Sequence, residues 1–413
     1  MIRKLVRPGL ICVCIVMVLV ASALAYMRAQ ATFPNPTGPF QVGKTAYDLI
    51  DSTRKESLGS DPHASREIMV TVYYPAHPAI GMQFGPYADD ATMQAWAHAD
   101  HVPVWLPKFL FAQDHTFANA PLATDEAAYP VVLFSPGWGN VPLNYTTTLE
   151  DLASHGYIVV ALWHTFSGSY TVFPDGRVVT ATRAGSDPDK YASNEDELYS
   201  VRTRVGDVWL GDVRLVLDQL VRWNADDARL AGHLDLGHIG IFGHSFGGTV
   251  ALAAGASDPR LTAVIDVDGS LAIGRTNTRY LDRPTLLMRS DDPHPTEEDL
   301  KDEHMTRQDF QVGLANLNKL YVTFYEHSRP AYLFTLKGSA HLTYASEYAL
   351  VAPAVPILLT QQLIGDIAGR HAVQVYDTYI TAFFDKHLKG ISTRLLEGGP
   401  AQDYPDVLLS AHL

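Results

Sequence analysis

Seven short runs rich in β-branched and aromatic residues recur along the chain, with amphipathic stretches of helical period between several of them. The runs are Ile68 to Tyr74, Val131 to Ser135, Ile158 to Leu162, His238 to Phe242, Ala263 to Val267, Thr285 to Met288 and Ala331 to Leu336. The helical stretches include Asp196 to Trp223 and Val373 to His387. Strand and helix in alternation predict an α/β fold, a mostly parallel central sheet flanked by helices. Such sheets gather their ligand-binding groups at the carboxyl ends of the strands. Every candidate residue can be tested against that rule.

The run ending at Phe242 passes through Gly243-His244-Ser245-Phe246-Gly247-Gly248 into a helical stretch, Thr249 to Ala256. Strand before and helix after make this G-x-S-x-G a nucleophile elbow of the α/β-hydrolase kind, with Ser245 at its tip. Residues without a Cβ are needed where backbones approach closely, at Gly243 and Gly247, and Gly248 lets the helix pack near the strand. The start of the helix favours developing negative charge.

A serine hydroxyl is a weak nucleophile until a base takes its proton. His341 is the candidate, because it follows the strand Ala331 to Leu336 through a turn of small residues, Lys337-Gly338-Ser339-Ala340, at the carboxyl end. His327 precedes the same strand, at the wrong edge; His371 and His387 belong to the last amphipathic helix, and His244 reads as structural support beside the serine. The orienting acid stays open between Asp268, which ends the strand Ala263 to Val267, and Asp291 or Asp292 after the next strand; Asp266 lies deeper and is a weaker third. Each preserves the order Ser, acid, His. For the oxyanion, the backbone N–H of Phe246 is one expected donor. Trp138, in the turn Pro136-Gly137-Trp138-Gly139 after the strand Val131 to Ser135, supplies the other. That turn is not a dinucleotide fingerprint, since Pro142 stands where the third glycine would be.

At the amino terminus Arg3, Lys4 and Arg7 precede an apolar run from Leu10 to Val20 and the pattern Ala23-Leu24-Ala25. Residues 1–25 therefore read as a secretory signal peptide, with a membrane anchor over residues 9–26 as the alternative. Either places the chain outside the cytoplasm, secreted, periplasmic or anchored. Both cysteines, Cys12 and Cys14, fall in this segment, so the rest of the chain cannot depend on disulfides. Removing it takes away three positive charges and leaves 28 Lys+Arg against 45 Asp+Glu, a formal charge of −17. Such a surface repels phosphate backbones and anionic membranes, which argues against a nucleic-acid partner and leaves only apolar contact with a lipid surface.

Residues 26–413 are expected to form one hydrolase domain with cap-like insertions near 81–128 and 271–329. The first insertion carries Phe84, Tyr87, Trp96, Trp105, Leu106, Phe109 and Phe111, and packing onto the domain is the commoner fate for such aromatics. His98 and His101 lack a neighbouring carboxylate cluster and do not suggest a metal. Asn144-Tyr145-Thr146 matches a glycosylation sequon, but beside the Trp138 turn it reads as accidental.

Taken together the chain resembles the plasma-type platelet-activating factor acetylhydrolase family and its bacterial relatives. The resemblance runs through Gly38-Pro39-Phe40, Arg66-Glu67-Ile68-Met69-Val70, Tyr73-Tyr74-Pro75-Ala76, Tyr129-Pro130-Val131-Val132-Leu133-Phe134-Ser135, Leu152-Ala153-Ser154-His155-Gly156-Tyr157, the elbow, Gly338-Ser339-Ala340-His341 and Phe383-Phe384-Asp385-Lys386-His387-Leu388. It implies Asp268 as the acid, Trp138 and Phe246 as oxyanion donors, and hydrolysis of short-acyl esters, including sn-2 acetyl or oxidised phospholipids, through an acyl-enzyme without metal or cofactor. Pro136 departs from the family, whose members often have His there, and the stretch from Asp268 to His341 is longer than in the animal enzymes; both features bear on the substrate. The rival expectations are a broad-specificity lipase or cutinase-like polyester hydrolase, and a non-catalytic binding protein on the same fold.

Overall fold

The computed structural model describes residues 2–291, 297–302, 305–351, 364–398 and 403–413. Ten strands form the main sheet: β1 (Gln41–Lys55), β2 (Ser65–Ala76), β3 (Thr116–Ala118), β4 (Tyr129–Ser135), β5 (Ile158–Trp163), β6 (Leu234–His244), β7 (Leu261–Val267), β8 (Thr285–Ser290), β9 (Ala331–Leu336) and β10 (Val407–His412). Their spatial order is β10-β9-β8-β7-β6-β4-β5-β2-β1-β3. The six from β5 to β9 are mutually parallel, while β2 and β10 join antiparallel at either side.

All seven runs anticipated from the sequence lie in this sheet, and the reason is its burial on both faces. Along β4, Val131 and Leu133 enter one core while Val132 and Phe134 enter the other, the two-residue period of a pleated strand. One face is covered by α4 (Thr146–Ser154) and α9 (Gly369–Leu388), the other by α5 (Glu195–Asp226), α6 (Phe246–Ser257) and α7 (Arg307–His327). The expected mostly parallel sheet flanked by helices is the architecture found.

The segment from Gly81 to Ala128 forms α2 (Asp90–Ala99), α3 (Trp105–Leu110) and the edge strand β3. Tyr87 and Phe111 are buried, Trp96, Leu106 and Phe109 pack partly against the core, and Phe84, Val104 and Trp105 stand exposed. The amino-terminal helix α1 (Ile2–Ala31) contains an apolar span, Cys14–Ala31, of mean hydropathy 1.7. Its last turn meets the domain, where Phe33 lies 5.2 Å from Tyr87 and 5.5 Å from Phe111, and the Arg28 guanidinium sits over Phe109.

Candidate active site

The elbow joins β6 to α6 with no intervening loop, so Ser245 must turn the chain alone. Its φ of 57° and ψ of −127° lie where L side chains rarely go, at a cost of about 1–3 kcal/mol that only surrounding contacts can sustain. Those contacts are present: Ser245 N–H donates to Val267 O at 2.8 Å, and Ser245 O accepts from Gly248 and Thr249 N–H. A Cβ on Gly247 would stand 2.2 Å from Ser135 O and 2.4 Å from Pro136 O, so the elbow rests directly on the end of β4.

The base and the acid meet from opposite directions. His341 opens a short helical turn after β9, with Nδ1 2.7 Å from Asp268 Oδ2. Asp268 follows β7, and Ser290 donates to its carboxylate from N–H (2.9 Å) and Oγ (2.9 and 3.0 Å). Burial favours the neutral acid, but the bonds from His341 and Ser290 and the imidazole's charge outweigh it and hold the carboxyl below its ordinary range.

The other carboxylates do different things. Asp291 Oδ2 accepts from Gly338 N–H at 2.8 Å and so braces the turn that carries His341. Asp266 is fully buried beneath the elbow, and burial followed by the charge of Asp268 pushes its carboxyl well above the ordinary range. Asp292 lies outside the described residues. Of the other histidines, His327 stacks on Tyr280, His371 meets Asp406, and His387 meets Tyr332.

In the turn after β4, Gly137 N–H donates to the Tyr145 hydroxyl and Gly139 N–H to Ser167 O. Between them the Trp138 N–H has no acceptor among the described residues, and the same holds for the Phe246 N–H at the first position of α6. The two rings meet at a tilt with centroids 4.3 Å apart, and Trp138 Nε1 donates to Gly185 O at 2.6 Å. Trp138, Ser245, Phe246, Asp268 and His341 line a single pocket of about 380 Å³, with Leu317 and Tyr321 of α7 across from them. It is within the range of small-molecule sites.

Tyr145 and His164 carried no functional signal in the sequence, and Asn144 entered only as part of a sequon. Asn144 of the sequon is buried and donates to Glu347, which leaves no room for a glycan. Tyr145 packs behind the Trp138 turn. Beneath β4, His164 Nδ1 donates to Asp212 at 3.0 Å and its Nε2 accepts the Ser135 hydroxyl at 3.0 Å, while Arg66 pairs with the same carboxylate at 2.7 Å. All four are buried, so this Ser-His-Asp series supports the strand end. Its members are far apart in the chain; spacing alone could not have joined them.

A family model described as platelet-activating factor acetylhydrolase, isoform II, matches residues 25–177 and 193–394. A probable 1-alkyl-2-acetylglycerophosphocholine esterase of Arthroderma benhamiae is 26% identical over 417 residues, covering 95% of this chain and 98% of that protein. The platelet-activating factor acetylhydrolase of Canis lupus familiaris is 25% identical over 390 residues, covering 87% of this chain and 78% of its own length. Among solved structures, a ferulic acid esterase from Streptomyces cinnamoneus superposes with a TM-score of 0.72 over 91% of this chain and 98% of its own, at 24% identity. That likeness speaks for the fold.

Proposed function

The chain belongs to the platelet-activating factor acetylhydrolase family, and from that premise we propose that Ser245, His341 and Asp268 are the catalytic residues of an exported serine esterase. The protein is a carboxylic ester hydrolase acting on small-molecule or lipid esters. One observation carries the residue assignment: a single pocket is lined by a serine at a strained turn, an imidazole anchored to a carboxylate, and two residues whose backbone N–H groups have no acceptor among the described residues.

In the first half-reaction the Ser245 oxygen attacks the acyl carbon while His341 Nε2 takes its proton. Asp268, bound to Nδ1–H, keeps the other nitrogen available and stabilises the imidazolium. The carbonyl oxygen becomes an oxyanion facing the Trp138 and Phe246 N–H groups, each such donor being worth roughly a hundredfold to a thousandfold in rate. The tetrahedral intermediate collapses, His341 returns its proton to the departing alcohol, and an acyl-enzyme remains. Water, deprotonated by His341, then releases the acid and regenerates Ser245.

Trp138 and Phe246, with rings 4.3 Å apart, line the pocket beside Ser245, a bulky wall that suits short acyl groups, and the relatives' names point to sn-2 acetyl phospholipids. The parts of residues 81–128 and 271–329 outside the sheet strands β3 and β8 are the proposed cap-like insertions, and the second reaches the pocket through Leu317 and Tyr321 of α7. Export rests on α1, as a cleaved signal or an anchor. Contact with a lipid surface would fall to exposed apolar side chains such as Val104 and Trp105.

The test is hydrolysis of p-nitrophenyl esters from acetyl to palmitoyl, in chelator, by the protein and its Ser245→Ala form. Activity confined to short chains and lost in the variant is expected. A maximum at long chains would favour a lipase, activity that survives in the variant would reject Ser245, and inertness of the intact protein toward every ester would favour a binding protein.

A further inference from the structure

Four hydrogen bonds, two buried and two partly buried, connect the parts of the site that must keep register during the reaction. The Tyr145 hydroxyl accepts from Gly137 N–H at 3.1 Å and from Asn140 Nδ2 at 3.3 Å. The amide orientation of Asn140 is consistent with this, because its Oδ1 accepts from the Tyr348 hydroxyl. With both lone pairs engaged, Tyr145 has only its proton left to give, and His244 Nδ1 stands 2.8 Å away to accept it. His244 must then carry its own proton on Nε2, which lies 2.9 Å from the backbone oxygen of His341. Every step has one donor and one acceptor, and the direction of each bond follows from the one before.

We propose that Tyr145 and His244 are positioning residues which fix the Trp138 turn, the elbow and the backbone of His341 as one unit; this rests on the roles given above to Ser245 and His341. The Trp138 N–H shares its planar peptide with Gly137 C=O, which accepts from Asn140 N–H at 3.0 Å. Tyr145 holds both ends of this turn, through Gly137 N–H and Asn140 Nδ2, and so helps to fix the direction of the Trp138 N–H. His244 precedes Ser245, and its ring lies 4.6 Å from that of His341. The turn sits tightly on the elbow, since a Cβ on Gly137 would be 3.2 Å from His244 Nδ1 and 3.3 Å from Ser245 Cβ. Burial, and then the neighbouring His341, push the pKa of His244 down to about 3, so the ring stays neutral and keeps its donor and acceptor sides through the range where esterases are assayed. Neither side chain lines the pocket; both act through the groups they hold.

The experiment compares the full-length protein with Tyr145→Phe, His244→Gln and His244→Asn. Competent sites are counted by the p-nitrophenol released on reaction with diethyl p-nitrophenyl phosphate, and kcat and KM are measured on p-nitrophenyl acetate per counted site. Tyr145→Phe is expected to lower kcat per site about ten- to a hundredfold with KM nearly unchanged, since small misplacements of reacting groups cost that much. A Gln amide can imitate the Nε2 donor and an Asn amide the Nδ1 acceptor. His244→Gln should therefore retain more activity than His244→Asn if the bond to His341 is the one that matters.

Unchanged kcat per site in Tyr145→Phe, including the case where only the fraction of competent sites falls, would assign Tyr145 to folding and overturn the proposal. Equal losses in His244→Gln and His244→Asn would overturn the role of the His244 donor. Ser245→Ala run alongside separates these from failure of the underlying reading: if it hydrolyses the ester at the wild-type rate, the nucleophile itself is wrong.

Discussion

His341 Nδ1 and Asp268 Oδ2 are 2.7 Å apart across the carboxyl ends of β9 and β7, and the same carboxylate takes three contacts from Ser290 at the end of β8. Three adjacent parallel strands thus supply the base, the acid and the group that holds the acid. An imidazole that donates to a fixed carboxylate through Nδ1 can accept a proton only through Nε2, the nitrogen a general base needs here.

Replacing Asp268 by Asn should therefore leave the fold intact and reverse the imidazole's preference, with kcat/KM on p-nitrophenyl acetate falling by about 10⁴-fold as for an acid-to-amide change in other triads. Ser290→Ala removes contacts to the acid without removing the acid, and about a tenfold loss is expected. Steady-state kinetics with circular dichroism checks both; an Asp268→Asn enzyme of near wild-type rate would point to a different orienting acid.

Gly247→Ala should be far worse than its single added methyl suggests. The new Cβ would press on the backbone oxygens of Ser135 and Pro136 at 2.2 and 2.4 Å, and backbone at the end of a central strand cannot yield as a side-chain tip would. The expected loss is at least about 3 kcal/mol, read as a lower urea midpoint and reduced soluble yield. A midpoint equal to that of the wild type would show that the strand end gives way.

The Asp212 carboxylate tests the support beneath β4. Burial opposes its charge, but Arg66 and His164 outweigh burial and hold it well below its ordinary range. With a depressed folded pKa, its stabilisation is full above the unfolded value near 3.9 and is lost as pH falls below it. Asp212→Ala would strand the buried Arg66 beside Glu56 alone and should cost about 3–5 kcal/mol at neutral pH, with a smaller difference from wild type at pH 3. Urea titrations at the two pH values measure this, and equal differences at both would argue against a charge at Asp212.

What could be read from the sequence was local. The strand-turn-helix of the elbow needs only consecutive residues, and His341 declared itself by following a strand through a short turn. Which carboxylate faces that histidine could not be read, because Asp266, Asp268 and Asp291 all stand near the carboxyl ends of neighbouring strands and differ only in how their turns bend. The strand β1 escaped notice because it mixes polar residues such as Lys44, Asp48 and Asp51 along a largely exposed edge. Tyr145 and His164 gave no signal because their partners are distant in sequence, 99 residues away for His244 and 48 for Asp212.

Glu347 offers the clearest test of a buried neutral acid near the site. It lies in α8 (Ser346–Val351), nearly inaccessible, and receives the Asn144 side-chain amide. Burial pushes its pKa up to about 8; the bond from Asn144 opposes this and the charge of Asp100 adds to it. The folded protein therefore keeps this proton at neutral pH, whereas the unfolded chain releases it near 4.3. Between those values the unfolded state binds fewer protons, so Glu347 makes stability fall as pH rises, and the loss levels off above about pH 8. Glu347→Gln keeps the shape and an oxygen for Asn144 but cannot ionise. The variant should match the wild type near pH 4 and exceed it progressively toward pH 8, by up to several kcal/mol. Urea midpoints from pH 4 to 9 decide the matter: curves that separate as pH rises support a neutral buried Glu347, and parallel curves would mean that the group is ionised in the folded protein.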